Sequence, residues 1–294
     1  MKVEAATGGE LATPLGEITY MMTRSSLLAS WLFVSFAAAT TACGGAPSSD
    51  LADENVATGA AALSTSIGTT GLSSISSNDP EAAATAAAED KDGDECRTRS
   101  IDPALPNVVH VVLKDCTGRL GRHHVSGNMT ITFTANADGS LHAEHQSDSL
   151  TIDGLPATHE AHADIVINGD QRQVTWHGVW THTKADGEIA THTADHVIDI
   201  DRATHCRTVN GTGITHVGDR QIDSKLTDFT TCEGANDVDA CPTGTIEHDN
   251  IAKQRTVTEV FDGSNIANVQ IVKPKGETSR QVSLNCGPAS QVGQ

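Results

Sequence analysis

From about residue 107 onward, apolar and polar residues alternate with a period of two, the spacing that sends successive side chains to opposite faces of a strand. Threonine, valine and isoleucine recur in these stretches, and glycine pairs break them: Asp138-Gly139, Asp153-Gly154, Asn168-Gly169, Asp186-Gly187, Asn210-Gly211 and Asp262-Gly263. Asn-Gly and Asp-Gly supply the positive φ angles of tight type I′ hairpins. The first four pairs follow one another at intervals of 15, 15 and 18 residues. Each strand is therefore predicted to hold roughly ten residues or more. No apolar stripe of helical period interrupts them. The pattern predicts an all-β fold, a long antiparallel meander of about nine to eleven strands forming a sandwich or a strongly curled single sheet. Thr, His, Asp and Ala are frequent in every strand, so one face is expected to be wet and the core thin.

The pattern upstream is different. Leu27 to Ala39 form an apolar run behind Arg24, and Thr40-Thr41-Ala42 precede Cys43. A positive residue, a short apolar run and small residues before a cleavage point make a secretory signal over residues 1–42, and the apolar run is too short to span a membrane. The acidic stretch before Met21 and Met22 points to a start at one of these methionines, with residues 1–20 an over-called extension. Residues 44–78 are rich in Gly, Ala, Ser and Thr, the composition of a flexible spacer. Asp79-Pro80-Glu81 reads as an N-cap, a first-turn proline and a short polar helix near 80–89. Asp90-Lys91-Asp92-Gly93-Asp94-Glu95 begins like an EF-hand loop, but Glu95 stands where that loop needs glycine and Ile101 where it needs a bidentate glutamate. It reads as an acidic linker. The division is then a signal (1–42), a tether (43–95) and a β domain (96–294).

Composition narrows the function. The chain carries 38 acidic against 19 basic residues, a formal charge of −19, and removal of the leader leaves about −18, which disfavours nucleic acid and anionic lipid. Only Phe133, Trp176, Trp180, Phe229 and Phe261 remain as aromatics after the leader, too few for the two girdles of a membrane barrel. Of 7 cysteines, Cys43 sits at the cleavage point. The other six, Cys96, Cys116, Cys206, Cys232, Cys241 and Cys286, are candidates for disulfides. Cys232–Cys241 is expected as a local pair and Cys116–Cys286 as a link between the ends of the meander.

Thr41-Ala42-Cys43-Gly44 resembles the lipobox of bacterial lipoproteins, although Thr40 replaces the aliphatic residue common three positions before the cysteine. That resemblance implies lipidation of Cys43 and a membrane anchor; the alternative is ordinary signal cleavage and a secreted protein. The leader, the tether, Asp115-Cys116-Thr117-Gly118, the threonine-rich meander and Cys241-Pro242-Thr243-Gly244-Thr245-Ile246-Glu247-His248 together resemble β-rich lipoproteins of myxobacteria and other Gram-negative bacteria. The likeness is one of architecture. It implies a cell-envelope location, the outer membrane above all, with the domain in the periplasm or at the surface, and carries over no catalytic residue.

Histidine is the one chemical excess, with 14 residues. His159-Glu160-Ala161-His162 and His142-Ala143-Glu144-His145 miss the zinc-protease spacings by one residue and lie on strands rather than on the helix those motifs require. If Asn168-Gly169 and Asp186-Gly187 are two-residue turns, then Glu160, His177 and His196 form one row across three strands, with His192 on the same face. Two imidazoles and a carboxylate so placed are a candidate Zn²⁺ or Cu²⁺ site; the alternative is a hydrogen-bonded wet face. Trp176 and Trp180 fall on the opposite face and read as core. The leading functional reading is a monomeric, non-enzymatic binding or structural module, with no catalytic residue, no firm cofactor and an unidentified protein partner. The other reading is a metal-binding protein. Full histidine protonation would bring the formal charge to about −4, so association is expected to rise between about pH 7 and pH 5 with the fold intact.

Overall fold

The computed structural model describes residues 54, 56, 57, 59, 60, 71–90, 96–117, 124–232, 240–284 and 286. The leader, Cys43 and residues 91–95 lie outside the described residues. The alternating pattern becomes thirteen strands. The first six are β1 (Arg97–Ile101), β2 (Val108–Thr117), β3 (His124–Ala135), β4 (Leu141–Ile152), β5 (Leu155–Asn168) and β6 (Gln171–Thr183). They are followed by β7 (Ile189–Asp201), β8 (Cys206–Val217), β9 (Arg220–Cys232), β10 (Thr243–Asn250), β11 (Arg255–Asp262), β12 (Ile266–Lys273) and β13 (Gly276–Ser283). All lie in one sheet in chain order, each antiparallel to the next. The chain is all-β, and of the two expected forms it takes the single sheet. The strand number exceeds the expected nine to eleven because the short β1 and the polar β13 carry little apolar signal.

The turns differ in kind, and the differences set the register. Asp153-Gly154 is a two-residue turn with φ of 52° and 78°, between paired Ile152 and Leu155. Asp138-Gly139 and Asp186-Gly187 instead end longer loops. In each, the glycine N–H donates to the carbonyl three residues back, Gly139 to Asn136 at 3.0 Å and Gly187 to Lys184 at 2.9 Å. Gly139 and Gly187 have φ of 85° and 83°, the left-handed residue of a type I turn closed by a bulge. Asn168 is paired with Gln171, which moves that turn onto Gly169-Asp170. Asn210-Gly211 is not a turn. It lies inside β8, beside a bulge against β9.

The buried face of the sheet forms a main apolar cluster running from β2 to β12, with smaller ones around Val257, Val269 and Ile271 and around Ala190, Val217 and Ile222. Leu72, Ile75 and the helix α1 (Pro80–Glu89) belong to the main cluster through Ala83, Ala84 and Ala87. The Asp79 side chain caps this helix by accepting from the Ala82 N–H at 2.8 Å. Residues assigned above to the tether are therefore packed into the domain: alanines at helical spacing give a flat surface that fits a sheet. Arg172 on β6 donates from Nε to the Ile75 carbonyl at 2.5 Å.

Three disulfides are formed, Cys96–Cys116, Cys206–Cys232 and Cys241–Cys286. Six paired cysteines mark an oxidising, extracytoplasmic setting. The expected pairs Cys232–Cys241 and Cys116–Cys286 are corrected. Cys206 and Cys232 are direct register partners on β8 and β9, so strand pairing itself brings their sulfurs together and leaves Cys241 to meet Cys286.

Candidate functional site

The outer face of the sheet carries the polar half of each strand. One rung runs through Thr132, Glu144, His162, His177, Asp195, Thr212, Lys225 and Glu247 on β3 to β10. Three imidazoles meet here. His162 lies 5.2 Å from His177 and 6.0 Å from His142 between ring centroids. Carboxylates hold the outer two: His177 donates from Nδ1 to Asp195 at 2.7 Å, and His142 from Nδ1 to Asp164 at 2.8 Å. The hydrogen bond from His142, and then one from Asn136, keep the Asp164 carboxyl below the ordinary carboxylate range.

The expected row of Glu160, His177 and His196, with His192 further along the same face, does not exist. Glu160 pairs with Gln146 and Val179, one outward position along from His162. His177 pairs with Asp195, and His196 with Trp176. Two register changes cause this: the turn at Gly169-Asp170 moves β6 by two residues against β5, which keeps the face but separates Glu160 from His177, and the bulged loop Lys184 to Glu188 pairs Thr183 with Ile189 and moves β7 by one residue against the assumed register. A one-residue slip sends every side chain to the other face. His192 and His196 are consequently buried, each 2% exposed. Among the described residues, no three His, Cys, Asp or Glu side chains stand ready to hold a metal ion.

The inner face holds a second histidine system. Ala161, Gly178, Ala194, Gly213 and Ser224 form a lane of small residues across β5 to β9, with buried His145 and His248 on the strands that flank it. Larger rings stand on both sides and lean over this lane. Trp176 covers Gly178, and the His192 ring lies over Gly213. His159 stacks on Trp180 at 4.0 Å, and Trp176 on His196 at 5.3 Å. His192 Nδ1 meets the Thr215 hydroxyl at 2.8 Å, and His248 Nδ1 meets the Ser224 hydroxyl at 2.8 Å. Both ring nitrogens of His145, His159 and His196 lack a hydrogen-bond partner among the described residues.

Burial penalises the imidazolium form, so these rings are poor bases. Burial pushes His145 down to about 4 and His159 to about 3, the latter helped by His145. Burial, with smaller contributions from His196 and His248, pushes His192 to about 3. His196 falls to about 4 through burial, against the pull of Asp195. They are neutral packing groups at physiological pH. Their signal in the sequence is parity: His192 and His196 share it with Ala190, Ala194, Ile198 and Ile200, the apolar half of β7. Trp176 and Trp180 are core, as expected, each 1% exposed. No family model, curated protein or solved structure matches this chain.

Proposed function

We propose that this protein is an envelope-anchored lipoprotein of a Gram-negative bacterium, held through Cys43 at the outer membrane, whose sheet serves as a non-enzymatic binding or structural module in the periplasm or at the surface. The observation that carries this reading is the cysteine pairing. Six of the 7 cysteines are consumed in disulfides, and the seventh is the residue of the lipobox-like segment. Disulfides support export, and a lone cysteine behind a secretory leader is the acceptor that lipidation requires. The outer face supports the module: it presents acid, base and hydroxyl groups side by side from eight strands, a surface suited to a polar partner.

Fractionation with fatty-acid labelling tests the reading. The wild-type chain is expected in the detergent-soluble membrane fraction with label, and the Cys43→Ser chain in the soluble fraction without it. An unlabelled, soluble wild type refutes the anchor. For the module, the purified Cys43→Ser chain, which dilution during fractionation leaves in the soluble fraction, is expected to sediment with isolated envelopes when the two are mixed at high protein concentration, and Lys225→Glu to reduce that fraction. Equal sedimentation of both would remove the outer rung as the contact.

A further inference from the structure

Carboxylates orient two of the three outer histidines. An ionised carboxylate has only acceptors, so Asp195 accepts a hydrogen bond from His177 Nδ1–H, and Asp164 accepts one from His142 Nδ1–H. In a neutral imidazole the other nitrogen, Nε2, then carries the lone pair. Metal-binding histidines are oriented in this same way, the second nitrogen donating to a carboxylate. The spacing agrees as well. A metal held at about 2.0–2.1 Å from Nε2 lies about 3.2 Å from the ring centroid, so two imidazoles at a tetrahedral angle have centroids about 5.2 Å apart. His162 and His177 are direct partners across β5 and β6, with centroids 5.2 Å apart and planes inclined by 33°. His142 and His162 stand wider, at 6.0 Å and nearly parallel.

We propose that His162 and His177 form a binding site for a divalent transition metal ion, Cu²⁺ or Zn²⁺, on the outer sheet face, with Asp195 as the positioning residue of His177. Two imidazoles supply half of a tetrahedral set, and water fills the open positions. Glu144, paired with His162, and Asp195 add negative charge at the rim. Zn²⁺ takes the tetrahedral angle directly, whereas Cu²⁺ prefers a tetragonal set whose cis angle near 90° would draw the centroids to about 4.5 Å; imidazole is a good ligand for both ions, and the general affinity order places Cu²⁺ above Zn²⁺. The proposal does not rest on lipidation of Cys43.

Calorimetric titration of the metal-stripped, full exported chain with Cu²⁺ and then Zn²⁺ at neutral pH tests it. One ion per chain is expected. His162→Ala and His177→Ala are each expected to weaken binding at least tenfold, Asp195→Asn about tenfold, and His142→Ala less than about twofold. The Cu²⁺ form is expected to show two equivalent nitrogen couplings by electron paramagnetic resonance. Absence of binding at millimolar metal overturns the proposal, as does undiminished binding in both alanine variants. A His142→Ala loss matching that of His177→Ala also overturns it. Near-UV circular dichroism checks the fold of each variant. If one fails to fold, the nitrogen couplings of the wild type decide.

Discussion

Trp176 lies over Gly178, two residues further along its own strand, at a distance that admits no side chain. A Cβ on Gly178 would stand 2.3 Å from indole carbons Cζ2 and Cη2 and 2.9 Å from the Ala161 Cβ. At Gly211 a Cβ would meet the Asp195 carbonyl oxygen at 2.2 Å as well as His196 Nδ1 at 2.5 Å. These glycines are spaces into which rings of the inner face fit. Gly178→Ala is therefore expected to cost about 2 kcal/mol through overpacking. Urea unfolding measures the loss, and tryptophan near-UV dichroism reports the displaced indole. Unchanged stability together with unchanged dichroism would show that the indole moves aside freely. The glycine of Asn210-Gly211 is such a space too, which is why a turn reading fails there. The dipeptide gives positive φ in one setting and a missing Cβ in the other, and only the partner strand decides between them.

Loops and crosslinks act at the scale of elements. Asp153-Gly154 and Asp186-Gly187 have the same turn signal, yet the first closes a two-residue hairpin and the second a bulged loop. Strand identity and length survive this ambiguity, which is why the meander of long strands was legible in the sequence. Register does not survive it, and the expected metal row dissolved with it, leaving only His177 in the metal site proposed from the structure. The disulfides were legible as a set but not as pairs, because Cys206 and Cys232 oppose each other only once β8 and β9 are in register. Glu54 had no sequence signal at all. Its carboxylate receives Arg255 Nε at 2.9 Å, Arg255 Nη2 at 2.5 Å and Asn250 Nδ2 at 2.9 Å, at the hairpin of β10 and β11. Both charged side chains are almost fully buried, 3% and 2% exposed. Removing one partner leaves a buried charge without its counter-ion, so Glu54→Gln is expected to cost about 3 kcal/mol. Chemical denaturation checks it; a loss below about 0.5 kcal/mol would mean that water reaches Arg255. Reduction and Ser replacement of Cys241–Cys286, which closes a separation of 45 residues, is expected to cost about 4 kcal/mol by the chain-entropy relation. At the sheet's end, β13 is exposed except at Val282 and carries Glu277 and Arg280, charges that discourage pairing with another chain.

The whole molecule's response to acid is set by the inner histidines. The sequence expectation was that histidine charging from pH 7 to pH 5 leaves the fold intact and only weakens self-repulsion. His145, His159, His192 and His196 cannot take part in that way, because each is buried with its proton affinity pushed down to about 3 or 4. An unfolded histidine titrates near 6.5. Below that value the unfolded chain binds more protons than the folded one, so stability falls as pH falls, and the loss continues until the folded values near 3 to 4 are reached. Each group contributes up to about 1.4 kcal/mol per pH unit, so four together remove roughly 5 kcal/mol by pH 5.5 and more by pH 5. A domain stability of about 5–15 kcal/mol does not absorb much more than that. The carboxylates do not offset it. Asp102, Asp138, Asp164, Asp186, Asp201 and Asp262 all have lowered values, so their stabilisation is complete above about 4 and is lost only below it. The expected outcome is cooperative acid unfolding between about pH 6 and pH 4, with association following exposure of the inner face rather than preceding it. Urea titrations at stepped pH give the slope directly, and His145→Gln is expected to lower it by about a quarter, one histidine in four. Light scattering that rises by pH 5 while near-UV dichroism stays native would refute this order of events and restore surface charge as the control.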